Sequence, residues 1–303
     1  MFETEKEMLE SPDIIRKFDL GITKKIAKRI GSRRIIFTGM GSSILFPANN
    51  AKNRAFMLNI KNRVEVYFAS DLLSCNDFSD TYVILCSNSG MTKETIMLFD
   101  HIKKRGAKAV AITSVANSIL AKKCKDKIIM NCGFEKGVAA TKSVIEQALI
   151  LDSLILNVAK NRGIAINFGN IRRALVDASR KVQWNINIKV PGNMLNALTE
   201  ATSLYFIGRQ TGVADEITLK SHEIARKSAF FYPDTHIVHG IEESIESNPI
   251  IIFEPFKFRK FINDFKRFSK RTNCKLFGIG SHKFIEGIKI KSNTYLENYC
   301  LLA

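Results

Sequence analysis

"CSNSGMTKETI", residues 86–96, follows the apolar run Tyr82-Val83-Ile84-Leu85 and leads into a helical pattern. A buried strand that opens onto two serines, an asparagine, a glycine and a threonine makes a turn of hydrogen-bonding groups, just where the first turn of a helix leaves its N–H groups unpaired. A small anion fits such a place. Gly90 lets the backbone turn closely, and the helix from about Thr92 points its positive dipole end at the turn.

Working outward from that turn, "RIIFTG", "VEVYFAS", "TYVILCS", "KAVAIT" and "DKIIMN" read as short apolar strands. Helical stretches over 43–60, 92–105 and 138–159 alternate with or follow them. That rhythm predicts a parallel sheet covered on both faces, with ligands outside the carboxyl ends of its strands. A second, shorter set follows: strands "LYFIGR", "PIIIFEP", "CKLFGIG" and "IKIKS", with helices near 213–229 and 257–272. The chain therefore reads as two related α/β halves, residues 1–160 and 201–303. A helical connection over 161–200 carries the single tryptophan, Trp184, and ends near Pro191-Gly192.

The first strand runs into "TGMGSSILFPA". Gly39 and Gly41 form a G-x-G, but Ile44 occupies the third glycine position of the dinucleotide fingerprint, which argues against a nicotinamide cofactor. What remains is a glycine turn followed by Ser42 and Ser43 where a helix begins. One such turn alone fits plain serine N-capping. Two at adjacent strand ends of one sheet favour a phosphate monoester held by hydroxyls and amides, without a P-loop lysine or magnesium ligands.

Composition bounds the rest. The 303 residues suffice for two domains, and 46% apolar with 25% charged residues is ordinary for a globular chain. No apolar run approaches the roughly 18 residues of a membrane span. The acidic, amphipathic start "MFETEKEMLESPDIIRK" lacks the features of a secretory signal, so the expected location is cytoplasmic. Six cysteines without a C-x-x-C pair support neither a disulfide framework nor a zinc site. The net charge of +17 admits nucleic acid, an acidic membrane or an anionic substrate. Both basic runs, however, have apolar residues at helical spacing: Ile22, Ile26 and Ile30 in one, Phe258, Phe261, Phe265 and Phe268 in the other. These read as docked amphipathic helices, and no nucleic-acid-binding signature accompanies them. Neither a membrane nor a specific nucleic acid is expected as a partner.

"FTGMGSS", "ILCSNSGMTKET" and "GFEKGVAATKS" resemble the phosphosugar-binding SIS (sugar isomerase) domain, most closely the isomerase half of glucosamine-6-phosphate synthase. The resemblance extends from residue 1 to about 300, including "ESPDIIRK". It implies a tandem pair of SIS domains, each a three-layer αβα flavodoxin-like sheet. It places Ser42, Ser43, Ser87, Asn88, Ser89 and Thr92 at the sugar phosphate and Val138 against the sugar. Ala140 stands where that family usually has a serine.

In the second half, "ADEITLKSHEIARKSAFFYPDTHIVHGIEES" puts Glu216, Lys220 and Glu223 on one helix face at i, i+4 and i+7, with His222 about 120° away. Spacing alone fits an exposed ion-pair stripe. The resemblance instead implies a sugar site, because the synthase has a Glu, Lys, Glu helix followed sixteen residues later by His-Gly, matched here by His239-Gly240. His222 then reads as a solvated helix residue, and His236 has no match. On this reading Glu216 contacts the substrate and Glu223 moves a proton between C1 and C2. His239 opens the sugar ring, reaching it from a neighbouring subunit of a homodimer with shared active sites, and Lys220 stabilises an enediolate or holds Glu223 ionised. No metal and no cofactor is called for.

The chain has Phe2 after Met1 where the synthase carries a glutaminase cysteine, and its last residues, "NTYLENYCLLA", show no counterpart of the family's lysine-bearing tail. The expected activity is therefore an aldose–ketose isomerase or amino-sugar-phosphate deaminase acting on a hexose 6-phosphate of the glucosamine 6-phosphate or fructose 6-phosphate type. The alternative is a non-catalytic phosphosugar sensor.

Overall fold

The computed structural model describes residues 2–254, 259–281 and 285–302. The chain divides into two compact units, Met1–Arg173 and Ala174–Ala303.

The first unit begins with α1 (Glu3–Lys17) and α2 (Lys24–Ile30), then alternates β1 (Arg34–Gly39), α3 (Leu45–Met57), β2 (Val64–Phe68), the single turn α4 (Ala69–Leu72), β3 (Thr81–Cys86), α5 (Lys93–Lys103), β4 (Lys108–Thr113), α6 (Ile119–Lys123), β5 (Lys127–Ile129) and α7 (Lys142–Asn161). The predicted strands and main helices are all present. Every strand pair is parallel, in the order β2-β1-β3-β4-β5. The near-continuous apolar strand sequences follow from this arrangement, because both faces are covered. On one face Ile36, Val83 and Leu85 pack with Leu98 and Ile102 of α5 and Leu120 of α6. α7 packs against α1, α2 and α3, and is buried from Lys142 to Ala159. Its polar residues are paired where they are buried: Asp152 with Arg54 at 3.2 Å, and Asn157, which donates to Leu20 O at 3.0 Å and Thr23 Oγ1 at 3.0 Å.

α8 (Phe168–Asn185) contains the division between the units. The second unit continues with α9 (Gly192–Glu200), β6 (Ser203–Gly208), α10 (Val213–Lys220), β7 (Ser228–Pro233), β8 (Ile250–Phe253), α11 (Ile262–Thr272), β9 (Leu276–Gly280), β10 (Gly287–Lys289) and α12 (Glu297–Leu302). Its strands are again all parallel, in the order β7-β6-β8-β9-β10. Numbered within each unit, both sheets have the doubly wound order 2-1-3-4-5. Tyr205, Ile207, Ile250 and Ile252 pack against Phe265 and Phe268 of α11.

Two expectations change here. The helix predicted over 213–229 stops at Lys220, passes through a π-turn at Ser221–Ala225, and gives way to strand β7 after Arg226, whose φ is 52°. The reason lies in "SAFFYP": paired aromatics suit a pleated surface, and Pro233 is tolerated because β7 is an edge strand. In the second basic run Phe265 and Phe268 are in the core, but Phe261 is 45% exposed and Ile262 takes the inward position. Phe258 lies outside the described residues. In α2, Ile26 and Ile30 are buried while Lys24, Lys25, Lys28 and Arg29 are exposed, as the apolar stripe requires.

Candidate functional site

In the 2-1-3-4-5 order the chain leaves β1 toward β2 on one side and β3 lies on the other, so the loops after β1 and β3 part and leave a crevice between them. The two serine turns are those loops. After β1, Gly41–Ser43 forms a single 3-10 turn, and the N-cap of α3 is Ile44 rather than a serine. The turn is fixed by Ile44 N donating to Gly41 O at 3.0 Å and by the Gln147 side-chain amide donating to Ser43 O. Ser42 and Ser43 are half-buried.

After β3, Ser87 is buried and its hydroxyl lies 2.8 Å from Thr92 Oγ1. Thr92 occupies the N-cap of α5 without capping it through its side chain, so the first-turn N–H groups of this eleven-residue helix remain directed at the turn. Ser89 Oγ accepts from Met91 N at 3.2 Å. Asn88 is used differently from the expectation. Its side-chain oxygen accepts from Ser114 Oγ, and its NH₂ donates to Glu135 Oε2 at 3.3 Å. Its backbone oxygen accepts from Thr113 Oγ1 at 2.9 Å. Asn88 thus fastens the turn to the end of β4.

Gly90 is the conformational requirement of this turn. Its φ is +62°, and a Cβ there would lie 2.1 Å from Ser118 Oγ and 2.5 Å from Ser118 Cβ.

The loop carrying "GFEKGVAATKS" is held by three buried carboxylates to which sequence reading assigned no role. Glu146 accepts from the amides of Asn131 (2.8 Å) and Cys132 (2.6 Å), and Glu7 of α1 from those of Lys136 (2.7 Å) and Gly137 (3.0 Å). Glu135 accepts from Thr141 N at 2.7 Å, Thr141 Oγ1 at 2.9 Å and Ser143 Oγ, besides Asn88. For Glu135 the available signal was its position between Gly133 and Gly137, close to Thr141 and Ser143; Glu7 and Glu146 lie inside α1 and α7, where nothing local marked them. Between these clamps Val138 is 85% exposed, Ala139 is buried and Ala140 is half-buried.

In the second unit, the predicted face of α10 is real. Lys220 Nζ lies 2.9 Å from Glu216 Oε1 and 2.9 Å from Glu223 Oε2. Glu216 is buried and Glu223, on the π-turn, is half-buried, so this is not an exposed stripe. Two carboxylates share one ammonium, and Glu223 is the more accessible of them. Burial pushes the neighbouring Asp215 carboxyl up to about 6. His239 follows the short helix Asp234–Val238 and is exposed, as is His222. His236 stacks on Tyr232 at 6.3 Å between ring centres.

Residues 30–157 match the SIS domain family. Across 92% of its length the chain is 26% identical to glutamine–fructose-6-phosphate aminotransferase (isomerizing) of Sulfolobus acidocaldarius, of which it covers 48%. The chain spans less than half the length of the curated relatives it matches. Among solved structures it resembles the C-terminal domain of glucosamine-fructose-6-phosphate aminotransferase from Francisella tularensis, with a TM-score of 0.80, 19% identity and coverage of 99% of this chain and 94% of that one. Glucosamine-6-phosphate deaminase from Thermotoga maritima matches with a TM-score of 0.73 and 18% identity, covering 99% of this chain and 92% of that one. Residues 30–157 thus match the SIS domain family, and the chain is similar in sequence to part of the aminotransferase.

Replacing Gly90 by Ala should destabilise the protein by about 2–5 kcal/mol, the left-handed backbone and the overlap with Ser118 both contributing. Urea unfolding measures this, and a change below about 0.5 kcal/mol would show that the turn relaxes freely.

Proposed function

We propose that this chain is a phosphosugar enzyme, an aldose–ketose isomerase or amino-sugar-phosphate deaminase acting on a hexose 6-phosphate through an enediolate or enamine. The observation that carries the reading is the hydroxyl-lined turn Ser87–Thr92 at the β1/β3 crevice, set before the N-terminus of α5. A phosphate dianion gains charge-assisted hydrogen bonds from hydroxyls and helix N–H groups without needing a metal or a lysine. Ser42, Ser43, Ser87, Ser89 and Thr92 are its proposed ligands. Asn88 acts through the turn it fastens, and Val138 lines the sugar.

The chemistry is assigned to α10 and the residues that follow. Proton transfer between C1 and C2 needs a positioned, accessible base, and Glu223 is the proposed one: Lys220 holds it by a 2.9 Å hydrogen bond, and buried Glu216 lies against the same ammonium. Lys220 also supplies positive charge for a developing enediolate. His239 is the proposed ring-opening group, serving the sugar of a partner in a homodimer. The names of the relatives support the substrate class: one acts on fructose 6-phosphate and another on glucosamine 6-phosphate.

Removing the Ser87 and Ser89 hydroxyls together should weaken binding of glucosamine 6-phosphate or fructose 6-phosphate by roughly 1–3 kcal/mol, because each bond to a charged group contributes about 1.5–3 kcal/mol and water replaces part of it. Titration calorimetry reads this directly, and unchanged affinity would take the phosphate away from this turn.

Glu223→Gln should lower turnover at least ~100-fold with substrate affinity kept within a few-fold, as expected for a base acting in the transition state. Assays of hexose 6-phosphate interconversion and of ammonia release decide it. Phosphosugar binding with no turnover in the wild type would establish the sensor instead. Mixing Glu223→Gln chains with His239→Ala chains should restore part of the activity through hybrid dimers, and no recovery after verified subunit exchange would sink the shared site.

A further inference from the structure

The proposed substrate needs a few basic groups, whereas the chain carries a net +17. Most of the excess lies in the first unit, which has 28 Lys and Arg against 16 Asp and Glu up to Arg173. Its placement there is not random. Because the five strands are parallel, their amino ends share one edge of the sheet, opposite the edge that holds the serine turns. The segments feeding that edge are basic: Lys28 and Arg29 end α2, Lys61 and Arg63 precede β2, Lys104 and Lys108 flank the entry to β4, and Lys122 to Lys127 lead into β5.

Most acids of this edge are engaged by basic side chains, and Asp77 accepts from Ser79 N. Glu65 pairs with Arg63 at 2.6 Å, Asp80 with Arg33 at 3.9 Å, Asp100 with Lys123 at 2.8 Å and Asp126 with Arg29. Lys28, Lys61, Lys104, Lys108, Lys122 and Lys125 are exposed, and none has a carboxylate partner among the described residues. Six uncompensated ammonium groups therefore run along a sheet edge of roughly 19 Å, five strands at about 4.8 Å spacing. The helices that supply them bury Ile26, Ile30, Leu98, Ile102 and Leu120, so the row lacks the broad apolar helix face that inserts into a bilayer, although Phe56 and Met57 are exposed at the end of α3. Phe56, 80% exposed at the end of α3 and five residues before Lys61, offers a ring on which an unpaired base can stack.

We propose that the amino-terminal edge of the first sheet is a binding surface for single-stranded nucleic acid without sequence preference. A row of lysines beside an exposed aromatic is the pattern that tracks a flexible phosphodiester chain, with affinity driven by counterion release. The surface is separate from the phosphosugar turns and does not depend on them.

The test uses a fluorescein-labelled mixed-sequence 20-nucleotide RNA and anisotropy titration of the full chain. Wild type should bind with a log–log salt slope of about −3, as expected if about four lysines each contribute roughly 0.7. The variant K61E/K104E/K108E/K122E should lose at least ~10-fold in affinity at low salt. K266E/K270E/K275E/K289E, which changes the net charge equally on the second unit, should lose less than about 3-fold, since long-range fields are screened. The corresponding Lys→Gln variant of the edge keeps the test readable if charge reversal impairs folding. Phosphosugar binding should be the same in all of these proteins. Equal loss in both Glu variants, or no loss in either, overturns the proposal. So does wild type that pellets with phosphatidylserine vesicles but leaves the RNA free.

Discussion

The carboxylate of Glu135 holds the first unit's site together. It is buried, and a buried carboxylate is tolerated only when its oxygens are hydrogen-bonded. Here the donors come from two loops: Asn88 from the turn after β3, and Thr141 and Ser143 from the start of α7. Desolvation makes each of these bonds costly to break, so the two loops behave as one piece. Glu7 and Glu146 extend the principle by anchoring the backbone amides of residues 131–137 to α1 and α7. The loop that bears the exposed Val138 is therefore positioned by carboxylates whose hydrogen bonds are made within the protein.

Buried acid serves a different end in the second unit. Glu216, Lys220 and Glu223 form a chain of two 2.9 Å contacts around one ammonium. The inner carboxylate is buried and its oxygens accept no hydrogen bond, so the ion-pair contact with Lys220 is its compensation, while the hydrogen bond of Lys220 goes to Glu223. The outer carboxylate is held in place by that hydrogen bond and stays half-buried. The π-turn at Ser221–Ala225 brings Glu223 onto this face within three residues of Lys220, after the regular helix has ended.

Both sheets have the order 2-1-3-4-5, yet their crevices are furnished differently. In the first unit the loops after β1 and β3 carry serine, threonine and glycine. In the second, the helix after β6 carries acid and lysine. One strand order thus carries hydroxyl turns in the first unit and an acid–lysine cluster in the second. Fold alone does not dictate chemistry.

The strands β1 to β4 were legible because each is a short apolar run bounded by glycine or polar turns, a pattern that only a strand covered on both faces requires. The serine turns were legible for the same reason, as polar interruptions at the ends of such runs. β7 was not, because "SAFFYP" follows a helix without a glycine or proline break and its edge position is set by pairing with β6 alone. Asn88 shows the limit at the site itself: its residue type suited a ligand, but Ser114 and Glu135, 26 and 47 residues away, claim its side chain. The sequence by itself determined the alternation of strands and helices, the two hydroxyl turns, and the common face of Glu216, Lys220 and Glu223, since each depends on neighbours within a few residues. Tertiary structure alone decided which buried carboxylates hold the loops, which asparagine is a fastener, and that the surplus lysines line one sheet edge. Those outcomes depend on contacts between residues far apart in the chain, which no local pattern encodes.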